Sequence, residues 1–505
     1  MRKRAAIVVQ LFIVASVGLT VLLLWSRTER RVTGPLEHEV YVWQRAWTEP
    51  VRSAVTDRGP DFAALTVLAA EVTWRDKQPQ VVRVALDYPS LVETHRPVGI
   101  ALRIGPYAGP FLTNDSVTVF LAELAASLVS EARANHLPVA ELQIDFDSAA
   151  SKLDGYRVWV EAIQRRVAPL PVTITALPSW LRSAAFERLA GVATNYVLQV
   201  HSLERPRSVD APFTLCDPRA ASRAVERAGR IGVPFRVALP TYGYLLAFNS
   251  GGAFLGLAAE GPRPNWPVDA QLREVHSNPT ELAQLVRDWT QNRPAALRGV
   301  IWYRLPVTTD NFNWRWPTLS AMLASRLPRE SLRVEARRVE VGLKEISLVN
   351  DGELDISSRL AVEVRWSDAR LVAGDGQQAF ELVEQNVSTA RFQTQPTFRR
   401  LPAGERRVLG WLRFDRDCEV QSEVKNFEAF SVALLVSAAN AVMACGPFFP
   451  NNLLNAGDEA LLAAPLADFE RELQRMRRVE SRCLAVPLPE TGAMERRGFG
   501  GPAGS

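Results

Sequence analysis

From Glu39 to about Leu305, short apolar stretches alternate with longer segments of helical period. The apolar stretches predict strands at Val40–Arg45, Leu65–Glu71, Val98–Ile104, Ala140–Asp147, Val172–Leu177, Tyr196–His201, Phe235–Tyr242 and Gly299–Leu305. Helices are expected between them at Val117–Asn135, Leu153–Val167, Ser179–Ala190, Arg219–Ile231 and Glu281–Gln291. In the first of these, Val117, Leu121, Leu124, Leu128 and Ala132 recur at steps of three and four, which is one face of a helix. Strands alternating with helices in this number predict a parallel sheet. Eight strands over about 265 residues have the size of a (β/α)8 TIM-like barrel. The competing open, doubly wound sheet normally carries a Gly-rich first turn, and none is present.

The strands also carry a polar line. In Glu141-Leu142-Gln143-Ile144-Asp145-Phe146-Asp147, the apolar residues share one face and Glu141, Gln143, Asp145 and Asp147 the other. A helix follows, so the polar face is expected inside the barrel, rising to the C-terminal mouth where barrel enzymes place their chemistry. The same alternation assigns Trp43 and Arg45, Glu71, Arg103, Thr173 and Thr175 to the interior of strands one, two, three and five. Strands six to eight are assigned Gln199 and His201, Tyr242, and Trp302 with Arg304. Carboxylates, amides, guanidiniums and aromatic platforms in one hollow suit a polyhydroxylated ligand, whose apolar face stacks on rings while its hydroxyls need paired donors and acceptors.

The pattern changes after Pro328. Arg333–Val341, Glu345–Val349, Leu360–Trp366, Phe380–Val387 and Arg406–Phe414 read as strands, with turn signals at Asn350-Asp351-Gly352 and Gly374-Asp375-Gly376. A small antiparallel β-sandwich over 329–416 is expected to follow a barrel over 39–328. Residues 417–505 give no clear fold, and the apolar run Phe430–Cys445 is short for a membrane span.

At the other end, Arg2, Lys3 and Arg4 precede the apolar run Ala5–Trp25, and Arg27, Arg30 and Arg31 follow it. A run of 21 residues is close to the ~20 that cross a hydrocarbon core as a helix. Residues 1–31 are therefore expected to be a transmembrane anchor or a signal segment, with the bulk of the chain in the cell envelope or secreted. Composition changes little else. The chain has 505 residues, 47% of them hydrophobic and 23% charged, which excludes wholesale disorder. Net charge is +4, only five of the 59 basic residues are lysine, and the cations are interleaved with acids, so no nucleic-acid surface is expected. Four scattered cysteines and five histidines without ligand spacing predict no metal, and the absence of a phosphate loop predicts no cofactor.

Two acids at i and i+2 on a strand lie ~6–7 Å apart at the backbone, close enough for one to hold a proton while the other stays charged. Leu142–Asp147 with Leu153 and Tyr156 resembles the fourth strand of glycoside hydrolase family 18-like barrels, an apolar strand ending in D-x-D-x-E. Gly299-Val300-Ile301-Trp302 is similar to their eighth strand, whose Trp floors the sugar site. Residues 39–415 more closely resemble the bacterial domain of unknown function 3142. The resembling stretches are Tyr41–Trp47, Leu142–Asp147, Leu198–His201 and Val300–Pro306. The resemblance implies a barrel acting on an envelope or extracellular polysaccharide, but Ala149 stands where the signature has its acid. The expected catalytic groups are thus Asp145 and Asp147, acting alone or assisted by Glu71 or by a loop acid such as Asp217 or Asp310. Trp43, Arg103, Gln143, Gln199, His201, Tyr242, Trp302 and Arg304 are expected to bind the carbohydrate. A glycan-binding barrel without catalysis and a membrane-anchored structural protein are the alternatives.

Overall fold

The computed structural model describes residues 30–75, 78–202, 205–259 and 264–426. The expected membrane segment Ala5–Trp25 and the apolar run Phe430–Cys445 lie outside these residues. Among the described residues, no helix is long and apolar enough to cross a membrane.

Eight parallel strands close into a barrel, in chain order Glu37–Val42, Leu65–Arg75, Val98–Ile104, Val139–Phe146, Val172–Ala176, Asn195–Gln199, Phe235–Pro240 and Leu297–Tyr303. Closure comes from the first strand, which pairs with the second at Val40↔Leu65 and with the eighth at His38↔Val300. Outward-facing residues such as Ile100, Leu102, Leu142, Ile144 and Phe146 are buried against the surrounding helices in one large core. The helices start where the chain supplies a cap. Asp115 accepts a bond from the Thr118 amide at 2.7 Å to open Ser116–Ala134. Asp217 and Asn278 cap helices that begin with Pro218 and Pro279, where a missing N–H costs nothing.

Three expectations need correction. The first strand begins at Glu37 and ends at Val42, so Arg45 lies in the following loop. The helix expected over Ser179–Ala190 is a short 3-10 turn, Pro178–Arg182, then a separate helix, Ala184–Val192. Ser183 separates them because its hydroxyl accepts from the Ala185 amide and starts the second helix. Between the seventh strand and its helix, a three-stranded antiparallel sheet intervenes, built from Gly243–Phe248, Phe254–Ala258 and Gln271–His276. Its central strand, Gly-Tyr-Leu-Leu-Ala-Phe, is a short continuous apolar run that carries no period to read.

The lower part of the barrel interior is charged. Arg236 reaches Glu39 at 2.5 Å and Glu141 at 2.6 Å, and also donates to Asn195. Thr173 donates to Glu141 at 2.7 Å. Burial raises the Glu39 pKa, and the two carboxylates hold the Arg236 pKa above its usual value. A further set of interior residues, Tyr41, Leu68, Ala101, Val197, Ala238 and Ile301, packs as an apolar cluster.

The chain then forms two four-stranded antiparallel sheets. One contains Leu332–Glu340, Leu343–Asn350, Arg406–Phe414 and Leu371–Gly376; the other contains Phe380–Gln385, Thr389–Thr394, Leu360–Trp366 and Val420–Asn426. Their buried residues, including Ile346, Leu412, Val362 and Phe392, share one core. The last strand lies beyond residue 416, where the expected sandwich stops. Gly374–Gly376, expected as a turn, belongs to a strand instead. A Cβ on Gly376 would sit 2.4 Å from the Phe380 carbonyl oxygen, so close backbone approach explains the glycine. Glu405 joins the sheets to Arg315 of the barrel at 2.9 Å, and the Glu353 carbonyl accepts from Thr318 at 2.6 Å.

Arg236→Met should destabilise the protein by about 3–5 kcal/mol in chemical denaturation, because it strands two buried carboxylates. Adding Glu39→Gln and Glu141→Gln should recover most of that loss. A single-variant effect below about 1 kcal/mol would contradict the buried triad.

Candidate functional site

The C-terminal ends of the strands surround a cavity of about 390 Å³. Its acidic part comes from the fourth strand. Asp145 accepts a hydrogen bond from Thr175 at 2.9 Å, and its other oxygen lies 3.7 Å from Nε of Arg103. Arg103 is shared, with its Nη1 3.4 Å from Glu71. Glu71 in turn is held by Arg45 through bonds of 2.5 and 2.9 Å. Burial, reinforced by the Asp147 charge, pushes the Asp145 pKa up to about 6, against the opposing pull of Arg103 and Thr175. Asp147 is exposed at the rim, yet partial desolvation by the surrounding cavity wall raises its pKa, with Arg103 opposing. Asp147 lines the cavity just past the strand end. Among the described residues it makes no hydrogen bond or ion pair.

The aromatic part comes from Trp43 and Tyr242 just past the first and seventh strands, from Tyr303 at the end of the eighth, and from Tyr244 of the inserted sheet. Ring centroids of Trp43 and Tyr303 are 5.5 Å apart, those of Tyr242 and Tyr303 5.5 Å, and those of Tyr242 and Tyr244 5.1 Å. Ser202 bonds to the Tyr242 hydroxyl and, at 2.8 Å, to that of Tyr244. His201 Nδ1 lies 3.2 Å from the Tyr242 hydroxyl. Burial lowers the His201 pKa to about 3, so the ring is neutral at physiological pH and cannot serve as the acid there. Gln199 also lines the cavity. Arg304, paired with Asp310, stands between this cavity and a neighbouring one of about 530 Å³ lined by Gln44, Arg45 and Thr309–Phe312. Among the described residues, no group of three or more His, Cys, Asp or Glu side chains is arranged to hold a metal ion.

The cavity thus brings together Trp43, Arg103, Asp145, Asp147, Gln199, His201, Tyr242 and Arg304 from the expected set. Three others sit elsewhere. Trp302 is 0% exposed, donates to His38 Nδ1 at 3.1 Å and packs on Trp314 in the helix-facing core. Its neighbours Ile301 and Tyr303 point inward instead, and a shift of one residue exchanges the faces of a strand. Gln143 does face inward, but it is fully buried and bonded to the Tyr41 hydroxyl, outside the cavity lining. Glu71 is committed to two guanidiniums and does not line the cavity either. Of the loop acids, Asp217 caps a helix and Asp310 pairs with Arg304. Ala149 is exposed and opens the 3-10 turn Ala150–Lys152. Tyr41, Tyr244, Ser202 and Tyr303 were missed. Reading the eighth strand with small Gly299 inward would have found Tyr303, and the parity of Trp43 would have found Tyr41.

The raised Asp145 pKa makes stability depend on pH. The folded state binds the proton more tightly than the unfolded chain, so the favourable contribution is complete below about pH 3.8 and lost as pH rises through about 6. At ~1.4 kcal/mol per pH unit, this is at most ~3 kcal/mol. Asp145→Asn should match the wild type near pH 4 and exceed it by roughly 1–3 kcal/mol at pH 8 in urea denaturation. A variant less stable than the wild type at pH 8 would contradict this.

No curated protein matches the chain. Among solved structures, it is similar to the spore cortex-lytic enzyme SleL of Bacillus megaterium at 12% identity, covering 59% of this chain and 75% of that one, with a TM-score of 0.42. It is also similar to a chitinase from Chromobacterium violaceum at 15% identity, covering 58% of this chain and all of that one, with a TM-score of 0.38. Residues 333–415 match the Domain of unknown function (DUF8456). Residues 94–308, from just before the third barrel strand to just past the eighth, match the Domain of unknown function (DUF3142).

Proposed function

We propose that the barrel takes a carbohydrate into its mouth and hydrolyses a glycosidic bond there, using Asp145 and Asp147. The observation that carries this reading is a pair of carboxylates with raised proton affinity in a 390 Å³ cavity that also presents Trp43, Tyr242, Tyr244 and Tyr303. Aromatic rings accept the apolar face of a sugar, while Gln199, Ser202 and Arg103 offer partners to its hydroxyls. In the proposed reaction, protonated Asp145 gives its proton to the leaving oxygen as the bond to the anomeric carbon breaks. The Asp147 carboxylate stabilises the positive charge that develops on the ring. Water then adds to the anomeric carbon and returns a proton to Asp145.

The polymer is proposed to be an envelope or extracellular polysaccharide. That part rests on the charge-flanked apolar run at residues 5–25, which would place the barrel outside the cytoplasm. A second reading, binding without cleavage, is favoured by Ala149, which cannot donate a proton from the position where family 18-like barrels carry their acid.

The test is turnover and binding across a panel of purified bacterial polysaccharides and their oligosaccharides. Asp145→Asn or Asp147→Asn should reduce turnover by about a hundredfold or more while binding persists. Wild-type turnover should fall as pH rises through about 6, where Asp145 loses its proton. Tyr244→Ala should weaken binding at least about tenfold, as loss of a stacking platform does. Wild-type binding without turnover would establish the second reading; neither binding nor turnover would overturn both.

A further inference from the structure

We infer that the sugar received at this mouth carries a free amine, so that the site's substrate class is a cationic amino-sugar glycan. The inference rests on the carbohydrate reading above and adds the charge of the ligand to it.

The argument is one of unmatched charge. Among the described residues, four carboxylates stand at the mouth or beside it: Glu71, Asp145, Asp147 and Asp310. They face three guanidiniums, those of Arg45, Arg103 and Arg304. Glu71 engages both Arg45 and Arg103. Asp310 engages Arg304, whose side chain is 3% exposed. Asp145 is left with the distant edge of a shared Arg103 at 3.7 Å, and Asp147 with no hydrogen bond or ion pair among the described residues. The unneutralised negative charge therefore lies on the two carboxylates that line the cavity.

The rest of the lining favours a cation as well. Trp43, Tyr242, Tyr244 and Tyr303 bring several aromatic faces to one hollow, and such faces attract an ammonium group most strongly where water is displaced. Trp43 is only 3% exposed and its indole N–H has no partner, so the lining keeps a buried donor ready for an acceptor such as a sugar hydroxyl. A uronic acid would bring a third negative charge to Asp145 and Asp147. An N-acetylated sugar would desolvate both carboxylates while neutralising neither. An ammonium group on the ring neutralises the excess, and the same negative charge would stabilise the cationic ring of a glycosidic transition state.

The experiment uses the full chain and two probes that differ only at nitrogen: the tetramer of β-linked glucosamine and the tetramer of N-acetylglucosamine. Calorimetry at pH 7 and low salt should show the amine form binding at least about tenfold tighter. The preference should shrink as ionic strength rises toward 0.5 M, since salt screens the charge. Asp147→Asn should erase most of the preference. Its side chain has no partner to lose, and Asp145→Asn supplies an independent second variant. Equal or tighter binding of the acetylated tetramer would overturn the inference and leave the carbohydrate reading intact. Binding of neither tetramer would overturn the inference, and inertness of the whole polysaccharide panel would remove the carbohydrate reading with it.

Discussion

Closure of the ring turns the two-residue period of a strand into the constraint that organises the rest of the molecule. Once the first strand pairs with both the second and the eighth, every other residue on each strand is committed to the interior. Along the fourth strand, Glu141 joins the charged layer around Arg236, Gln143 joins Tyr41, and Asp145 reaches the cavity. One strand thus contributes to the charged base, to the interior above it and to the chemical mouth. Two carboxylates on the same face are an electrostatic cost that the register makes unavoidable.

The mouth handles that cost unevenly. Acids such as Glu71 and Asp310 are matched to guanidiniums, whereas Asp145 keeps only a hydroxyl and a distant cation. Burial without a matching charge raises a carboxyl pKa, and a neighbouring carboxylate raises it further. A residue in that condition is poorly suited to holding the fold together and well suited to moving a proton near neutral pH. The inserted sheet after the seventh strand adds Tyr244 and Leu257 to the lining, so the pocket owes part of its wall to a segment outside the repeating barrel units.

The barrel was legible because its helix-facing residues are aliphatic and its helices are announced by Asp115, Asp217-Pro218 and Asn278-Pro279. The acid pair was legible because polar residues alternate with apolar ones along the fourth strand. The eighth strand was not, since Gly-Val-Ile-Trp-Tyr is apolar on both faces and its parity has to come from its neighbours. The error fell on adjacent aromatics: Trp302 belongs to the outer core and Tyr303 to the cavity. Pairings distant in sequence were equally hidden. Nothing local to Glu71 announces that Arg45 and Arg103 converge on it, and nothing local to Gly374–Gly376 tells a turn from a strand that must approach its partner closely.

Burial, reinforced by the charge of Asp147, raises the proton affinity of Asp145 toward neutral pH. A carboxyl-carbon NMR titration of the full chain, with Asp145 assigned by comparison with Asp145→Asn, tests it most directly. The expected result is an apparent midpoint near 6 that moves down in Asp147→Asn, as when a coupled neighbour is neutralised. A midpoint close to the ordinary 3.8, unchanged by that substitution, would contradict it.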